Sequence, residues 1–204
     1  MRLTKLVVLA AVLLILPVRS AHANLIVNGS FEDPNIPTGS FDLLGSIPGW
    51  TATVGLIEIQ DNVAGSPYDG DQHIELDSTG NSWITDGGGV VTNIGQAYTL
   101  SFAYSPRPGV ALASNGVELW VDSAFVALVA ASGIGNPNTV WTTHQYNVVG
   151  DGLTLVEFRG VGVSDSFGGY IDDVQLVPEP ASMLLLGFGM VTTGLMRRVR
   201  RKQP

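Results

Sequence analysis

Apolar and polar residues alternate with a period of two in several stretches of this chain, and this alternation limits its fold more than any other feature. The pattern runs through Tyr98–Tyr104, Val117–Val121 and Ile74–Leu76. Successive side chains of a β-strand point to opposite faces, so each stretch predicts a strand with one buried and one polar face. Residues 24–177 contain no convincing helical period of 3.6, which predicts an all-β domain.

Other stretches predict further strands and the turns between them. The additional strand candidates are Leu25–Phe31, Thr53–Gln60, Ala124–Ala130, Thr142–Val149, Leu153–Gly160 and Tyr170–Val177. Clusters of Gly, Pro, Asn and Asp separate the strands, at Asp33–Pro37, Gly65–Asp71, Asp86–Gly89, Pro106–Gly109, Gly133–Asn138 and Gly150–Gly152. About nine short strands of this kind predict two packed antiparallel sheets, a β-sandwich.

The first 23 residues have the layout of a secretory signal peptide. Arg2 and Lys5 give a positive start, Leu6–Val18 is apolar, and Ala21-His22-Ala23 is an A-x-A cleavage site. The apolar region is short for a transmembrane helix. We therefore predict export of the chain and a mature protein that begins at Asn24.

The C-terminal segment, residues 178–202, has three parts. Pro178-Glu179-Pro180 comes first, and neither proline donates a backbone hydrogen bond to a sheet. Ala181–Met196 then runs for 16 residues without a charge, against about 20 for a comfortable membrane span. A basic cluster follows, made of Arg197, Arg198, Arg200, Arg201 and Lys202. We predict a single hydrophobic helix, held in the membrane before processing, with the basic cluster on the cytoplasmic side.

This order of parts closely resembles the PEP-CTERM sorting signal of Gram-negative bacteria. The resemblance rests on Pro178, Glu179 and Pro180, on the apolar run, and on Arg197 and Arg198. It implies recognition and removal of the segment by an exosortase, a membrane cysteine transpeptidase. The implied location is the cell envelope, the cell surface or the extracellular matrix. The alternative is an amphipathic or buried C-terminal helix, which the absence of a polar face disfavours.

Charge separates sharply between the ends and the middle of the chain. Of 10 Lys and Arg residues, only Arg107 and Arg159 lie in Asn24–Val177, whereas 17 of the 18 Asp and Glu residues do, so this domain has a net charge near −15. Binding to nucleic acid phosphates needs a cationic surface, so nucleic acid is excluded as a natural partner.

The chain has no cysteine, which excludes a thiol nucleophile, a cysteine-based zinc site and disulfides.

Several short motifs resemble the galactose-binding-like jelly rolls, and most nearly the DUF642-type and related carbohydrate-binding modules. They are Asn24–Glu32, Gly49-Trp50, Gly70–Leu76, Tyr98–Phe102 and Gly169–Leu176. The resemblance covers residues 24–177 and implies a jelly-roll β-sandwich. DUF642 proteins often carry cysteines in their second half, and this chain departs from that pattern.

The same resemblance implies a structural calcium ion shared by the first and last strands. The implied ligands are Glu32 and Asp172, with Asn28 and Asp71 as further candidates. Strand parity places Asp172 on the face of Val174 and Leu176, which predicts that its carboxylate points inward and needs a cation or hydrogen-bond donors. In the alternative, Glu32 and Asp172 accept hydrogen bonds from backbone N–H groups of turns.

No pattern in the domain assigns a catalytic residue. His73 and His144 lie in separate strands without metal-ligand spacing, and Ser164-Asp165-Ser166 lacks the G-x-S-x-G elbow. A glycosidase pair has four candidates, which alternation predicts to face solvent: Glu58, Glu75, Glu118 and Glu157.

Candidate ligand-binding residues are exposed aromatics and a cation. Tyr68 and Trp83 lie in stretches predicted as loops, Arg107 lies in the Pro106–Gly109 turn, and Trp120 lies on the polar side of its strand. Trp50 and Trp141 are predicted in the core.

The leading hypothesis is a non-catalytic carbohydrate-binding module that associates with extracellular polysaccharide. A structural or adhesive matrix protein without specific sugar binding is the alternative, and a secreted hydrolase is a weaker one.

Overall fold

A computed structural model of the chain describes residues 23–179. These residues form 14 strands: β1 (Phe41–Leu44), β2 (Ser46–Ile47), β3 (Trp50–Val54), β4 (Ile57–Gln60), β5 (His73–Glu75), β6 (Trp83–Thr85), β7 (Val90–Val91), β8 (Ala97–Ser105), β9 (Gly116–Val121), β10 (Ala124–Val129), β11 (Thr142–Val149), β12 (Leu153–Thr154), β13 (Val156–Val161) and β14 (Tyr170–Pro178). The one helix in this range is a 3-10 turn at Leu112–Ser114. None of the described helical structure has the length and apolarity needed to cross a membrane.

The strands form two six-stranded antiparallel sheets and a short pair. Sheet 1 has the order β1-β4-β5-β14-β8-β11, sheet 2 has the order β10-β9-β13-β6-β3-β2, and β12 pairs with β7. The sequence prediction of an all-β jelly-roll sandwich is confirmed. Contacts group Asn24–Pro178 into one compact unit. The predicted signal peptide, except Ala23, and the sorting segment after Glu179 lie outside the described residues.

The core fills the space between the two sheets. Phe102 of sheet 1 meets Phe158 of sheet 2 edge to face, with ring centres 4.9 Å apart. Trp50 lies 6.1 Å from Phe158 and 5.4 Å from Phe31, and all four rings are buried. The prediction that Trp50 belongs to the core is confirmed, whereas Trp141 is only partly buried and lies outside it. Burial of these large side chains supplies most of the stabilisation in a chain without disulfides.

The N-terminal segment lies along β14, although it is not a strand. Residues 26–30 form a bend and turns, so the predicted strand Leu25–Phe31 is wrong. The Leu25 N–H nevertheless donates to the Leu176 carbonyl at 3.0 Å, and the Asn24 side chain accepts from the Leu176 N–H at 2.9 Å. The Val174 N–H donates to the Gly29 carbonyl at 2.8 Å. The two ends of the domain are therefore joined by hydrogen bonds.

Two predicted strands are each divided in the structure. Thr53–Gln60 is split at Gly55, whose φ of 66° is accessible to glycine, so that β3 joins sheet 2 and β4 joins sheet 1. Leu153–Gly160 is split into β12 and β13. The short strands β1, β2, β6 and β7 were not predicted, and Trp83 therefore lies in a strand instead of a loop.

A bulge in β14 reverses the predicted orientation of Asp172. Asp172 pairs with Ala103 of β8, whereas Leu176 pairs with Leu100, and the register shifts between Asp172 and Gln175. Asp173 has a φ of 47°, which fits the extra residue of a bulge. Asp172 therefore lies on the outer face of sheet 1, opposite the core residues Val174 and Leu176, and the prediction that it points inward is wrong. It is nevertheless fully buried.

Candidate functional site

The outer face of sheet 2 carries a row of aromatic and cationic side chains across four neighbouring strands. Phe125 of β10, Trp120 of β9, Arg159 of β13 and Trp83 of β6 form this feature, which we call the tryptophan–arginine row. The guanidinium carbon of Arg159 lies 4.4 Å from the centre of the Trp83 ring and 3.9 Å from that of Trp120. The rings of Trp120 and Phe125 meet edge to face at 5.6 Å. These distances are attractive for cation–π and aromatic pairs.

Strand alternation places the row outside. Val156 and Phe158 of β13 are fully buried, so the side chain of Arg159, one position further along, points to the opposite face. The register then pairs Arg159 directly with Trp83 of β6. On the other side of β13, Trp120 is the diagonal neighbour of Arg159, two positions from its direct partner Glu118. Cross-strand neighbours at these positions are close enough for long side chains to touch.

Two glutamates fix the orientation of the row. Arg159 donates from Nε and Nη2 to the two carboxylate oxygens of Glu157, at 3.0 and 2.9 Å. Trp120 Nε1 donates to Glu118 at 2.8 Å. The guanidinium charge is thus balanced by a bidentate ion pair with a carboxylate, which is the geometry that arginine favours. The row presents rigid ring surfaces with little net positive charge, and Phe125 is 52% exposed.

The structure separates the four predicted ligand-binding residues into two places. Trp83 and Trp120 come together on either side of Arg159, whereas Tyr68 and Arg107 lie near sheet 1. Arg159 was missed from the sequence. The polar position of Arg159 in an alternating strand indicates an outward-facing side chain. The placement of β13 between β6 and β9, which brings Arg159 against both tryptophans, cannot be predicted from the sequence.

A loop covers the outer face of sheet 1. We call residues 62–72 the strap. Trp141 Nε1 and Thr139 Oγ1 both donate to the Ser66 carbonyl, at 2.9 and 2.7 Å, and the Ser66 N–H donates to Asn138 at 2.9 Å. Tyr68 lies on the strap, is 47% exposed, and has its hydroxyl 3.3 Å from that of Thr143.

Glu32 and Asp172 both bind the second half of the strap. The N–H groups of Tyr68 and Asp69 donate to Asp172 at 2.8 and 3.0 Å. Those of Asp71 and Gln72 donate to Glu32, both at 2.9 Å. Burial is the largest influence on Asp172 and raises its pKa to about 7, although the N–H donors lower it. The two predicted calcium ligands therefore meet at one loop, bound to backbone donors as in the alternative interpretation.

The other two predicted calcium ligands do not complete a site around them. The side chain of Asn28 accepts from the Asp33 N–H at 3.1 Å and donates to the carbonyls of Asp33 and Pro48, at 2.7 and 3.0 Å. Asp71 is exposed. Within residues 23–179, no three or more His, Cys, Asp or Glu side chains are grouped so as to hold a metal. Calcium at Glu32 and Asp172 stays a prediction.

A polar cluster lies on sheet 1 between β4 and β5. Glu58 and Glu75 are direct partners in the register and are buried, so the prediction that they face solvent is wrong. Gln60 Nε2 donates to both carboxylates, at 2.8 Å to Glu58, and Arg107 forms an ion pair with Glu75. Tyr170 donates to Gln60 at 3.3 Å. The segments that carry Arg107 and Gly168 lie over Glu75, which accepts from the Gly168 N–H at 2.5 Å.

The two carboxylates of this cluster are buried and bound to polar partners. Burial raises the pKa of Glu75 to about 8 and also raises that of Glu58. Gln60 Nε2 contacts both carboxylates and is itself buried, so the pair does not face an open cleft in which a sugar ring could bind. Of the other glycosidase candidates, Glu118 binds Trp120, and Glu157 binds Arg159.

Arg107 forms part of a second surface feature. Its guanidinium carbon lies 4.7 Å from the centre of the Phe167 ring. Beside it is an open cavity of about 560 Å³, lined among others by Arg107, Phe167, Val110, Ile134 and Asp165. The cavity has a mainly apolar wall, and Arg107 is already paired with Glu75.

Comparison with protein families identifies one segment of the chain. Residues 176–201 match the PEP-CTERM protein-sorting motif. The fold and the motif together define an exported β-sandwich protein. More particularly, the chain carries a PEP-CTERM motif, which directs sorting to the cell surface and implies processing by an exosortase. Sequence comparison with curated proteins gives no significant match.

Comparison with solved structures places the domain among known jelly rolls. The Stig cyclase Fisc from Fischerella sp. TAU, in complex with (3Z)-3-(1-methyl-2-pyrrolidinylidene)-3H-indole, is 14% identical with a TM-score of 0.57 and covers 78% of this chain and 99% of its own. A cyclase from the same organism, in complex with 4-(1H-indol-3-yl)butan-2-one, is 16% identical with a TM-score of 0.53. The match covers 76% of this chain and 96% of the cyclase. A family 16 carbohydrate-binding module is 15% identical with a TM-score of 0.47, and the match covers 76% of this chain and 99% of the module. The two cyclase likenesses establish the fold alone.

Proposed function

We propose that this protein is a non-catalytic carbohydrate-binding protein of the cell surface or extracellular matrix, which contacts polysaccharide through the tryptophan–arginine row. The observation that carries the proposal is the side-by-side placement of Trp83, Arg159 and Trp120 on an outer sheet face. Sugar rings present apolar C–H faces that pack on aromatic rings, and their hydroxyls find partners in flanking carboxylates. Rigid aromatic groups lose little conformational entropy on binding.

Charge indicates which polysaccharides fit this face. The Arg159 charge is balanced by Glu157, and the domain as a whole carries a net charge near −15. Such a field repels uronic acid or sulfated polymers over roughly one Debye length, about 8–10 Å at moderate salt. We therefore propose neutral polysaccharides as the ligand class.

Affinity electrophoresis of the purified protein through gels that contain neutral polysaccharides tests this function. We expect Trp120→Ala to weaken binding about tenfold, because removal of one stacked ring costs about 1–1.5 kcal/mol. Phe41→Ala is the matched control, since Phe41 is exposed on β1 of the other sheet and should leave binding unchanged. Equal migration of wild type and Trp120→Ala in every neutral gel would reject the proposal.

A matrix-assembly role is the second candidate, and β10 favours it. This edge strand of sheet 2 exposes Phe125, Val126 and Leu128. Exposed apolar edge strands are prone to pair with other chains. Sedimentation analysis distinguishes the two roles, because self-association without binding to any glycan supports assembly instead of carbohydrate recognition.

Calcium is a further part of the proposal. The support for it is the acidic surface and the meeting of Glu32 and Asp172 at the strap. We expect EDTA to lower the melting temperature and added calcium to restore it, measured by differential scanning fluorimetry. An unchanged melting temperature in EDTA, for a sample shown to have lost its metal, would end this part of the proposal.

A further inference from the structure

The turn between β5 and β6, residues 77–82, is fastened to the segment that precedes β14. The Asp165 N–H donates to Asp77 Oδ2 at 2.9 Å. The Asn81 N–H donates to Ser164 Oγ at 3.1 Å, and Asn81 Nδ2 donates to the Gly162 carbonyl at 3.1 Å. The N–H donors of these contacts are therefore already in use.

The side-chain atoms without a hydrogen-bond partner in this turn are all oxygens. They are Asp77 Oδ1, Ser78 Oγ, Asn81 Oδ1 and Ser82 Oγ, and all four are buried. Asp77 and Ser82 have no exposed surface. The Gly162 carbonyl fixes the orientation of the Asn81 amide, because a flipped amide would set two acceptor oxygens against each other. Asp77 Oδ1 and Asn81 Oδ1 are acceptors only, whereas the serine hydroxyls can also donate. A buried acceptor without a partner is costly. Burial raises the pKa of Asp77, although the backbone N–H groups of Asp165, Ser166 and Phe167 lower it.

Two of these oxygens come from directly paired residues. Asp77 and Asn81 form an isolated antiparallel bridge. Residues paired in this way have Cβ atoms about 4.5–5.5 Å apart on the same face. Oxygens on such a pair lie within reach of one ion that binds at about 2.3–2.6 Å.

The protein offers no cation of its own to this turn. Arg107 and Arg159 are the Lys and Arg residues of range 23–179, and they are paired with Glu75 and Glu157. Asp165 lies beside Asp77 and adds negative charge. A set made of carboxylate, amide and hydroxyl oxygens suits a hard cation, whereas zinc prefers nitrogen and sulfur.

We propose that the Asp77–Asn81 turn binds a calcium ion through Asp77 Oδ1 and Asn81 Oδ1, with serine hydroxyls and water completing the oxygen shell. This position is separate from the strap, where Glu32 and Asp172 were predicted to bind calcium. An ion here joins the β5–β6 turn to the segment leading into β14. It therefore links the two sheets at one end of the sandwich.

Isothermal titration of the calcium-free full chain with calcium chloride tests the proposal. We expect Asp77→Asn, which keeps the shape and removes the charge, to abolish one bound calcium. Asn81→Ala, which removes the second ligand oxygen, should weaken binding roughly tenfold. Asp42→Asn is the matched control, because Asp42 lies on the exposed edge strand β1 and accepts only from the neighbouring Leu43 N–H.

The Asp172→Asn variant separates this site from the predicted one at the strap. If only the turn binds calcium, Asp172→Asn titrates like wild type. If both bind, Asp172→Asn and Asp77→Asn each lose one ion. The proposal is overturned if wild type takes up no calcium at millimolar concentration, or if Asn81→Ala leaves its binding unchanged. The Asn81→Ala variant still tests the proposal if Asp77→Asn does not fold.

Discussion

The two arginines of the domain have the same surroundings on opposite sheets. Arg107 lies over the Phe167 ring and pairs with Glu75, and Arg159 lies against two tryptophans and pairs with Glu157. A planar guanidinium can stack on a ring and bind a carboxylate at the same time, and a lysine ammonium cannot do both as well. Each arginine therefore acts as a connector between a ring and an acid.

Gly160 allows the closest backbone approach between β13 and the end of β5. A Cβ at this position would lie 1.8 Å from the Leu76 carbonyl oxygen. We expect Gly160→Ala to reduce the free energy of unfolding by about 3 kcal/mol, because backbone has to move. Gly45→Ala is the control, since nothing lies within 4 Å of its Cβ position, and urea denaturation measures both. Equal stability of the two variants would contradict this account.

The orientation of Asp172 and the surroundings of Arg159 are two features that the sequence alone did not predict. Glu32 and Asp172 were predicted to share a calcium ion, and the structure shows that both bind backbone N–H groups of the strap. The outward orientation of Asp172 was not predictable, because the bulge at Asp173 changes strand parity without a compositional signal. Arg159 was missed for a different reason: its neighbours Trp83 and Trp120 are distant in sequence and meet only through strand order.

At the level of elements, long alternating strands were predicted well and short ones were not. The strands β8, β9, β10, β11 and β14 were located within a residue or two. The strands β2 and β7 have two residues each, too few to show any period. The strap was predicted as a turn-rich loop, but its position over sheet 1 depends on contacts from residues far along the chain.

Pairing of β4 with β5 predicts an unusual pH dependence. Burial raises the pKa of Glu75 to about 8 against the lowering effect of the Arg107 guanidinium, and the neighbouring Glu58 carboxylate adds to the rise. The folded Glu58–Glu75 pair therefore holds a proton more tightly than the unfolded chain does, whose Glu75 has a pKa of 4.5. Stability from this proton is complete below pH 4.5 and is lost as pH rises through 8, with a limiting slope of about 1.4 kcal/mol per pH unit. Burial lowers the pKa of His73 to about 3, which gives stability that rises with pH below 6.5. We therefore expect melting temperatures to fall between pH 6.5 and pH 9, above that range.

The Glu75→Gln variant provides the control for this pH dependence. Its uncharged amide should flatten the decline, although Asp172 and Asp86, whose pKa values burial raises to about 7 and about 6, leave part of it. Differential scanning fluorimetry across the pH range measures both proteins. A melting temperature that rises from pH 6.5 to pH 9, or an equally steep decline in Glu75→Gln, would refute the assignment.

For the whole molecule, the sorting motif predicts a shortened mature form. Intact-mass spectrometry of the protein from its native envelope should give a chain that begins at Asn24 and lacks Arg197–Lys202, because the motif implies exosortase processing. A variant with Pro178-Glu179-Pro180 replaced by alanines should keep the basic cluster. A wild-type chain that retains its C-terminus would instead indicate a permanent anchor.

The central position of β14 has a mechanical consequence. β14 has seven paired residues with β8 on one side, while β5 and the N-terminal segment bond to its other side. Tension that enters the domain at Pro178 runs along β14, across hydrogen bonds that stand perpendicular to the strand. These bonds are loaded together in shear and not opened one at a time. The domain should thus resist extraction when it is pulled by its C-terminal end, as a surface protein is in flowing liquid.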